Sequence, residues 1–300
     1  MTPQPIPHLL AATDLSAPAR HAVARAALLS AETGAPLGLL HVVSLGALDA
    51  LRGLLTSDAD AVTTRLLDEA RDEVGRLAAE LAERYGAAPE THLAVGAVVP
   101  EIAACADACD AGLLVMGVRG AGFMRDLLVG STTDRVLRKL TRPLLAVRQI
   151  PHEPYRRVLV PVDFSPRSLA ALQLARRVAP RADLVLLHAF EVPFEGKLRL
   201  AGVEDETLHS LRVAAKRHAV ERLNALITAA GLEDAGVRRI VLHADPTTLI
   251  LEQEQEQDCD LIVIGKHGQS ALEDMLLGSV TKHVLARASA DVLVADRTPV

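Results

Sequence analysis

Gly117, Gly120 and Gly130 sit in the stretch GVRGAGFMRDLLVGST, with Ser131 directly after the last glycine. Gly265, Gly268 and Gly278 sit in GKHGQSALEDMLLGSV, followed by Ser279. The spacing is identical, and each glycine lies 148 positions from its counterpart. Residues of these types can hold an anion. Glycine lets backbone approach a ligand closely and take φ > 0, so that N–H groups point at phosphate oxygens. Gly130–Ser131 and Gly278–Ser279 stand where a helix would open, and a helix N-terminus attracts anions through its free N–H groups and dipole. The serine hydroxyl adds a donor. Arg119, Lys266 and His267 place cations in the loops. Asp14 and Asp163, each ending a short apolar run, offer a carboxylate that can accept from a ribose or a base.

Two other phosphate motifs do not fit. GAGFMR begins like a dinucleotide fingerprint, but Arg125 stands where the third glycine belongs. No GxxxxGK[ST] segment occurs, which excludes a P-loop NTPase.

The elements that position these residues run in the same order twice. Apolar runs at His8–Ser16 and Arg157–Ser165 read as buried strands ending in Asp. Helical stretches follow at Ala19–Gly34 and Ser168–Pro180, then strands at Pro36–Val43 and Asp183–Phe190, both containing LLH. Long helices are expected over Asp58–Arg84 and Glu204–Ala230, and third strands at Thr91–Gly96 and Arg238–Asp245. The most apolar strands, Gly112–Gly117 and Asp260–Gly265, lead into the glycine loops. Helices at Thr133–Thr141 and Thr281–Ser289 and last strands at Arg142–Val147 and Ala290–Ala295 complete each half. Alternating strands and helices specify an α/β, parallel, doubly wound five-stranded sheet in each half. Ligands in such sheets sit at the carboxyl ends of the strands where the winding reverses. The domains are expected at 1–150 and 155–300, joined by the proline-containing QIPHEPY (Gln149–Tyr155).

Composition narrows the function. At 300 residues, 50% hydrophobic and 23% charged, the chain is globular. With 2% aromatics and no Trp, its core must be aliphatic. A net charge of −6 provides no electrostatic footprint for nucleic acid or an anionic membrane. The start MTPQPIPHLL has no signal-peptide pattern and no apolar run is long enough to span a bilayer, so a cytoplasmic protein is expected. Cys105, Cys109 and Cys259 are odd in number and read as buried small hydrophobes rather than a disulfide framework or zinc site. His41 and His188 read as packing or hydrogen-bonding residues, and EQEQEQD (Glu252–Asp258) as a solvated helix face.

Taken together, these residues resemble the ATP-binding branch of the universal stress protein family, marked by G-x2-G-x9-G-[ST] after the fourth strand. The pattern occurs twice, with Thr13-Asp14-Leu15-Ser16 and Val162-Asp163-Phe164-Ser165 matching the family's first-strand motif. The resemblance covers nearly the whole chain as tandem domains. It implies Rossmann-like domains with strand order 3-2-1-4-5, binding ATP, or AMP or ADP, with or without Mg²⁺. Asp14 and Asp163 would contact adenosine. Val42 and Ala189 would line the base pocket, with Met116 and Ile264 preceding the loops. Gly117, Gly120, Gly130, Ser131 and Thr132 would hold ribose or phosphate, as would Gly265, Gly268, Gly278, Ser279, Val280 and Thr281. The halves would pack as an internal pseudo-dimer, with a homodimer left open and the protein partner unknown. Ala12 opposite Pro161 and Gly112 opposite Asp260 depart between the halves. The expected function is a nucleotide-binding stress-response sensor or regulator. A slow ATPase or nucleotidyl-transfer enzyme and a nucleotide-free scaffold are the alternatives. Phosphoryl transfer needs a residue to orient the nucleophile, and no catalytic residue recurs in both loops, since His267 is matched by Arg119.

Overall fold

The computed structural model describes residues 5–54, 59–118, 130–233, 235–268 and 277–296. The chain forms two compact units, one running to Pro154 and the other from Tyr155 to Asp296. In the first, the order is β1 (Leu9–Thr13), α1 (Ala17–Thr33), β2 (Leu37–Ser44), α2 (Leu45–Leu54), α3 (Ala59–Tyr85), β3 (Glu90–Gly96), α4 (Val98–Ala108), β4 (Leu113–Gly117), α5 (Ser131–Lys139) and β5 (Leu144–Val147). In the second it is β6 (Arg157–Pro161), α6 (Pro166–Val178), β7 (Asp183–Phe190), α7 (Glu195–Leu200), α8 (Asp205–Ala229), β8 (Arg238–His243), α9 (Pro246–Glu256), β9 (Leu261–Gly265), α10 (Ser279–Arg287) and β10 (Asp291–Ala295).

The first unit's strands lie in the order β3-β2-β1-β4-β5 and the second's in the order β8-β7-β6-β9-β10, all parallel. Both are Rossmann-like α/β sheets of order 3-2-1-4-5. The central strands carry unbroken aliphatic runs because helices cover both faces of such a sheet. Leu9, Leu10, Leu113 and Leu114 are fully buried in one unit, and Val158, Leu159, Leu261 and Ile262 in the other. Each such side chain contributes roughly 1.5–3 kcal/mol over leaving it exposed.

Local chemistry sets the boundaries. Ser16 caps α1 by accepting from the Ala19 N–H at 3.4 Å, and Gly34 ends that helix at φ 72°. Gly112 is required by its surroundings, since a Cβ there would stand 2.5 Å from Pro7 Cδ. Its counterpart Asp260 instead accepts from the N–H groups of Arg156 and Arg157 at 2.8 and 3.1 Å, fixing the start of β6.

The expected long helices are α3 and α8, within one residue of the bounds read from the sequence, and the short helices α2 and α7 stand before them. Two expectations need correction. The acidic run in α9 is not uniformly solvated: Gln253 and Glu254 are buried. Glu254 Oε1 accepts from the N–H groups of Ser289 and Ala290, securing the turn between α10 and β10. Cys105 and Cys109 are only half-buried, whereas Cys259 is buried, and burial pushes its thiol up to about 12.

Candidate functional site

In the second unit, β6 pairs with β7 from Arg157 to Pro161, but with β9 only at Val158 and Leu159. The ladder between the first and fourth strands ends early in both units, and the proline shortens it by one pair, since β1, with Ala12 at the matching position, still pairs with β4 at Ala11. Val162 donates its N–H to Leu187 O on the β7 side at 2.8 Å. Strand alternation therefore turns the Pro161 nitrogen towards β9, where proline has no hydrogen to give. Beyond Leu159 the ladder stops and a cavity of about 530 Å³ opens. Asp163, Ala189, Ile264, Gly265, Gly268, Gly278, Ser279, Val280 and Thr281 all line it.

Asp163 and Gly268 face each other across this cavity. A Cβ on Gly268 would stand 3.1 Å from Asp163 Oδ2. The other carboxylate oxygen is held from behind, accepting from the Ser165 N–H at 3.0 Å and the Ser168 hydroxyl at 2.9 Å. This leaves Oδ2 directed towards the glycine loop. Gly278 is the N-cap of α10, and its N–H donates to Lys266 O at 2.9 Å. A Cβ there would lie 3.2 Å from that same oxygen, so the glycine permits a close backbone approach.

Positive φ is not what the described loop glycines supply. Gly130 and Gly278 have φ of −58° and −56°, and no described loop glycine is left-handed. The left-handed residues are Leu15 (φ 64°) and Phe164 (φ 61°), each directly after the aspartate. Holding a bulky residue there costs about 1–2 kcal/mol, and such strain gathers at ligand sites. It turns the chain so that the aspartate side chain folds back onto the start of the next helix. In the first unit, Asp14 Oδ1 accepts from the Ser16 N–H at 3.1 Å and from its hydroxyl.

The two threonines after the serines act on the protein itself. Thr133 and Thr281 donate to the carbonyls of Gly117 and Gly265 at 2.9 and 2.7 Å, tying α5 and α10 to the strand ends. His41 and His188 bind Thr13 O and Val162 O through Nδ1, each at 2.8 Å. The acceptor is a carbonyl, so Nδ1 carries the hydrogen. Lys266 does not enter the cavity lining. Its ammonium is buried against Asp296, 2.8 Å away.

In the first unit, Asp14 ends the β1 region, Val42 lies in β2 opposite Ala94, and Met116 and Gly117 close β4 opposite Ala146 and Val147. Gly130 caps α5, and Ser131 and Thr132 form its first turn. Gly120 and Arg119 lie outside the described residues.

Sequence reasoning missed Arg167 and Ser168 of α6 and Pro246 and Ile250 of α9, which also line the cavity. Ser168 follows Asp163 closely enough to have been sought as its support. Nothing local marks Pro246 or Ile250, which the crossover from β8 brings in. At the positions matching Arg167 and Ser168, the first unit has Pro18 and Ala19.

His188 provides a pH test. Burial, the largest cause, holds its imidazole below the ordinary 6.5, with Arg222 adding to the effect and Val162 O and Asp163 opposing it. The unfolded chain then binds the proton more readily, so stability falls as pH drops below the ordinary value towards the folded one. Thermal melts between about pH 7.5 and about pH 5.5 should show Tm falling with acid. His188→Gln should reduce that slope, and an unchanged slope would show that other groups set it.

The comparisons with known proteins agree with this architecture. The model of the universal stress protein family matches residues 5–148 and 154–296. A universal stress protein of Mycolicibacterium smegmatis is 27% identical over 296 residues, covering 95% of this chain and 96% of that one. One from Mycobacterium tuberculosis is 29% identical over 208 residues, covering 67% of this chain and 63% of its own. The crystal structure of a universal stress protein from Archaeoglobus fulgidus is 24% identical, with a TM-score of 0.71 over 97% of this chain and 98% of that one. Its fold is the same. With both halves matched in turn, the chain belongs to the universal stress protein family, as a tandem member.

Proposed function

We propose that this protein binds an adenine nucleotide at the switch-point crevice of each half and acts in the cytoplasm as a stress-response sensor or regulator. The observation that carries this reading is the approach of Gly268 to Asp163 across a cavity that also receives the N-terminus of α10. A volume of about 530 Å³ falls within the range of small-molecule sites, roughly 300–1,000 Å³. The residues fit such a ligand. Asp163 would accept from ribose hydroxyls, and Ala189 and Ile264 would flank the base. Gly268 and Gly278 leave space that a side chain would fill. The N–H groups of Ser279 and Val280, in the first turn of α10, would donate to phosphate oxygens. Asp14, Val42, Met116, Gly117, Gly130, Ser131 and Thr132 would do the same work in the first half. ATP is the proposed nucleotide, with Mg²⁺ entering on its phosphates.

The test is to denature the purified protein and identify adenine nucleotide released per chain by chromatography, with and without added ATP and Mg²⁺. Nucleotide released unchanged, up to two per chain, is the expected result. ADP accumulating with time, and lost in Gly268→Val, would favour the slow ATPase. No nucleotide after ATP addition would overturn the proposal and favour a scaffold.

A further inference from the structure

The residue after each aspartate is left-handed, and the two units hold it by different means. In the first, Thr13 Oγ1 accepts from the Leu15 N–H at 3.0 Å. The matching position in the second is Val162, which has no hydroxyl to offer. There the held residue is aromatic instead. The Phe164 ring lies against the His188 ring, with centroids 4.3 Å apart and planes tilted by 44°. The guanidinium carbon of Arg222, in α8, also stands 4.3 Å from the Phe164 centroid.

His188 ties this stack to the crevice. Its Nδ1 donates to Val162 O and its ring meets Phe164, so it grips the chain on both sides of Asp163. The same imidazole lines the cavity, whereas Phe164 and Arg222 stand outside the lining. A bulky left-handed residue persists only where its surroundings over-determine it. A guanidinium over a ring supplies part of that, because the ring's quadrupole attracts it. Arg222 is exposed, and the buried face of α8 is made by Leu208, Ala219, Leu223 and Ile227. Replacing Arg222 therefore leaves the packing of α8 in place.

We propose that Arg222 and Phe164 are positioning residues of the second half. Their stack holds the strained turn that directs Asp163 Oδ2 towards Gly268, and so makes nucleotide binding in that crevice depend on α8. Leu15 has no ring to stack, so the first half is free of this dependence. The role rests on the nucleotide function proposed above, and acts through Asp163 rather than on the ligand.

The experiment measures ATP binding with Mg²⁺ by calorimetry, on full-length protein freed of nucleotide. The second-half component is the one that Gly268→Val removes. Arg222→Gln should weaken it by about two- to fivefold, the strength of an exposed cation–ring contact, and Arg222→Lys should keep most of it. Phe164→Leu should weaken it at least as much. Adding Val162→Thr to Phe164→Leu should restore it, by supplying the hydroxyl that Thr13 provides in the first half. The first-half component should change in none of them. His188 reports on the stack itself. Burial first, and Arg222 in addition, hold its imidazole below the ordinary value, so its titration by nuclear magnetic resonance should move up in Arg222→Gln and not in Arg222→Lys. Unchanged second-half affinity in Arg222→Gln and Phe164→Leu, or equal weakening of both halves, would overturn the proposal, whatever His188 does. Should Phe164→Leu fail to fold, Arg222→Gln decides alone. If Gly268→Val removes no component, the nucleotide function itself falls and takes this role with it. A component that Gly268→Val removes but the stack variants leave intact would sink the positioning role alone.

Discussion

Gly268→Val is expected to remove nucleotide from the second half while leaving the first half loaded. The introduced Cβ would stand 3.1 Å from Asp163 Oδ2, and the two methyl groups would extend further into the cavity. Overpacking of this kind costs about 1–3 kcal/mol, which lowers affinity by roughly 5- to 150-fold. The backbone at Gly268 is not left-handed, so the substitution adds no φ strain. That makes it a cleaner test than Gly278→Val, whose Cβ would press on the Lys266 carbonyl at 3.2 Å and disturb the loop itself. Nucleotide released per chain should fall by one, with the far-ultraviolet circular dichroism unchanged. Unchanged release would show that the ligand does not occupy the part of the cavity beside Gly268 and Asp163, and the crevice reading would fail with it.

That glycine was legible in the sequence because its meaning is one of position. A glycine after an apolar run, repeated at one offset with a serine-led helix behind it, declares a close approach to something. What kind of approach was not legible. Among the described residues the expected φ > 0 belongs not to the loop glycines but to Leu15 and Phe164, residues whose types argue against a left-handed backbone. The hydrogen bonds that fold Asp14 and Asp163 back onto α1 and α6 help hold that conformation, with Thr13 accepting from the Leu15 N–H and the Phe164 ring packed against His188. The parallel sheet followed from alternation of strands and helices, since a parallel pair requires a crossover, whereas its order 3-2-1-4-5 came only with the family resemblance. The cavity's far wall did not, because Pro246 and Ile250 reach it through a crossover that leaves no local pattern. Glu254 was misread for a related reason. In an exposed acidic run nothing distinguishes the one carboxylate that meets two backbone N–H groups some 35 residues later in the chain.

Lys266 carries the same lesson to an experiment. Its place inside the glycine loop suggests a phosphate ligand, yet its side chain is 3% exposed and its ammonium lies 2.8 Å from Asp296. Asp296 is also largely covered, at 10%. Removing one member of a buried pair leaves the other charge without that partner, at a cost of about 3–5 kcal/mol. Lys266→Met keeps most of the side-chain volume and should destabilise the protein by about 3 kcal/mol, the lower end, because Asp296 retains some contact with solvent. The first half offers a natural comparison, with Val118 and Arg148 at the matching positions and Val118 buried. A pair is thus not needed to build this strand end. Accordingly, Lys266→Met/Asp296→Asn should recover much of the lost stability, and a double-mutant cycle by urea denaturation would measure the coupling. Nucleotide affinity should change little in either variant that remains folded. A loss of affinity in Lys266→Met without a loss of stability would mean that the ammonium serves the ligand after all, and that Asp296 holds it only until the phosphate arrives.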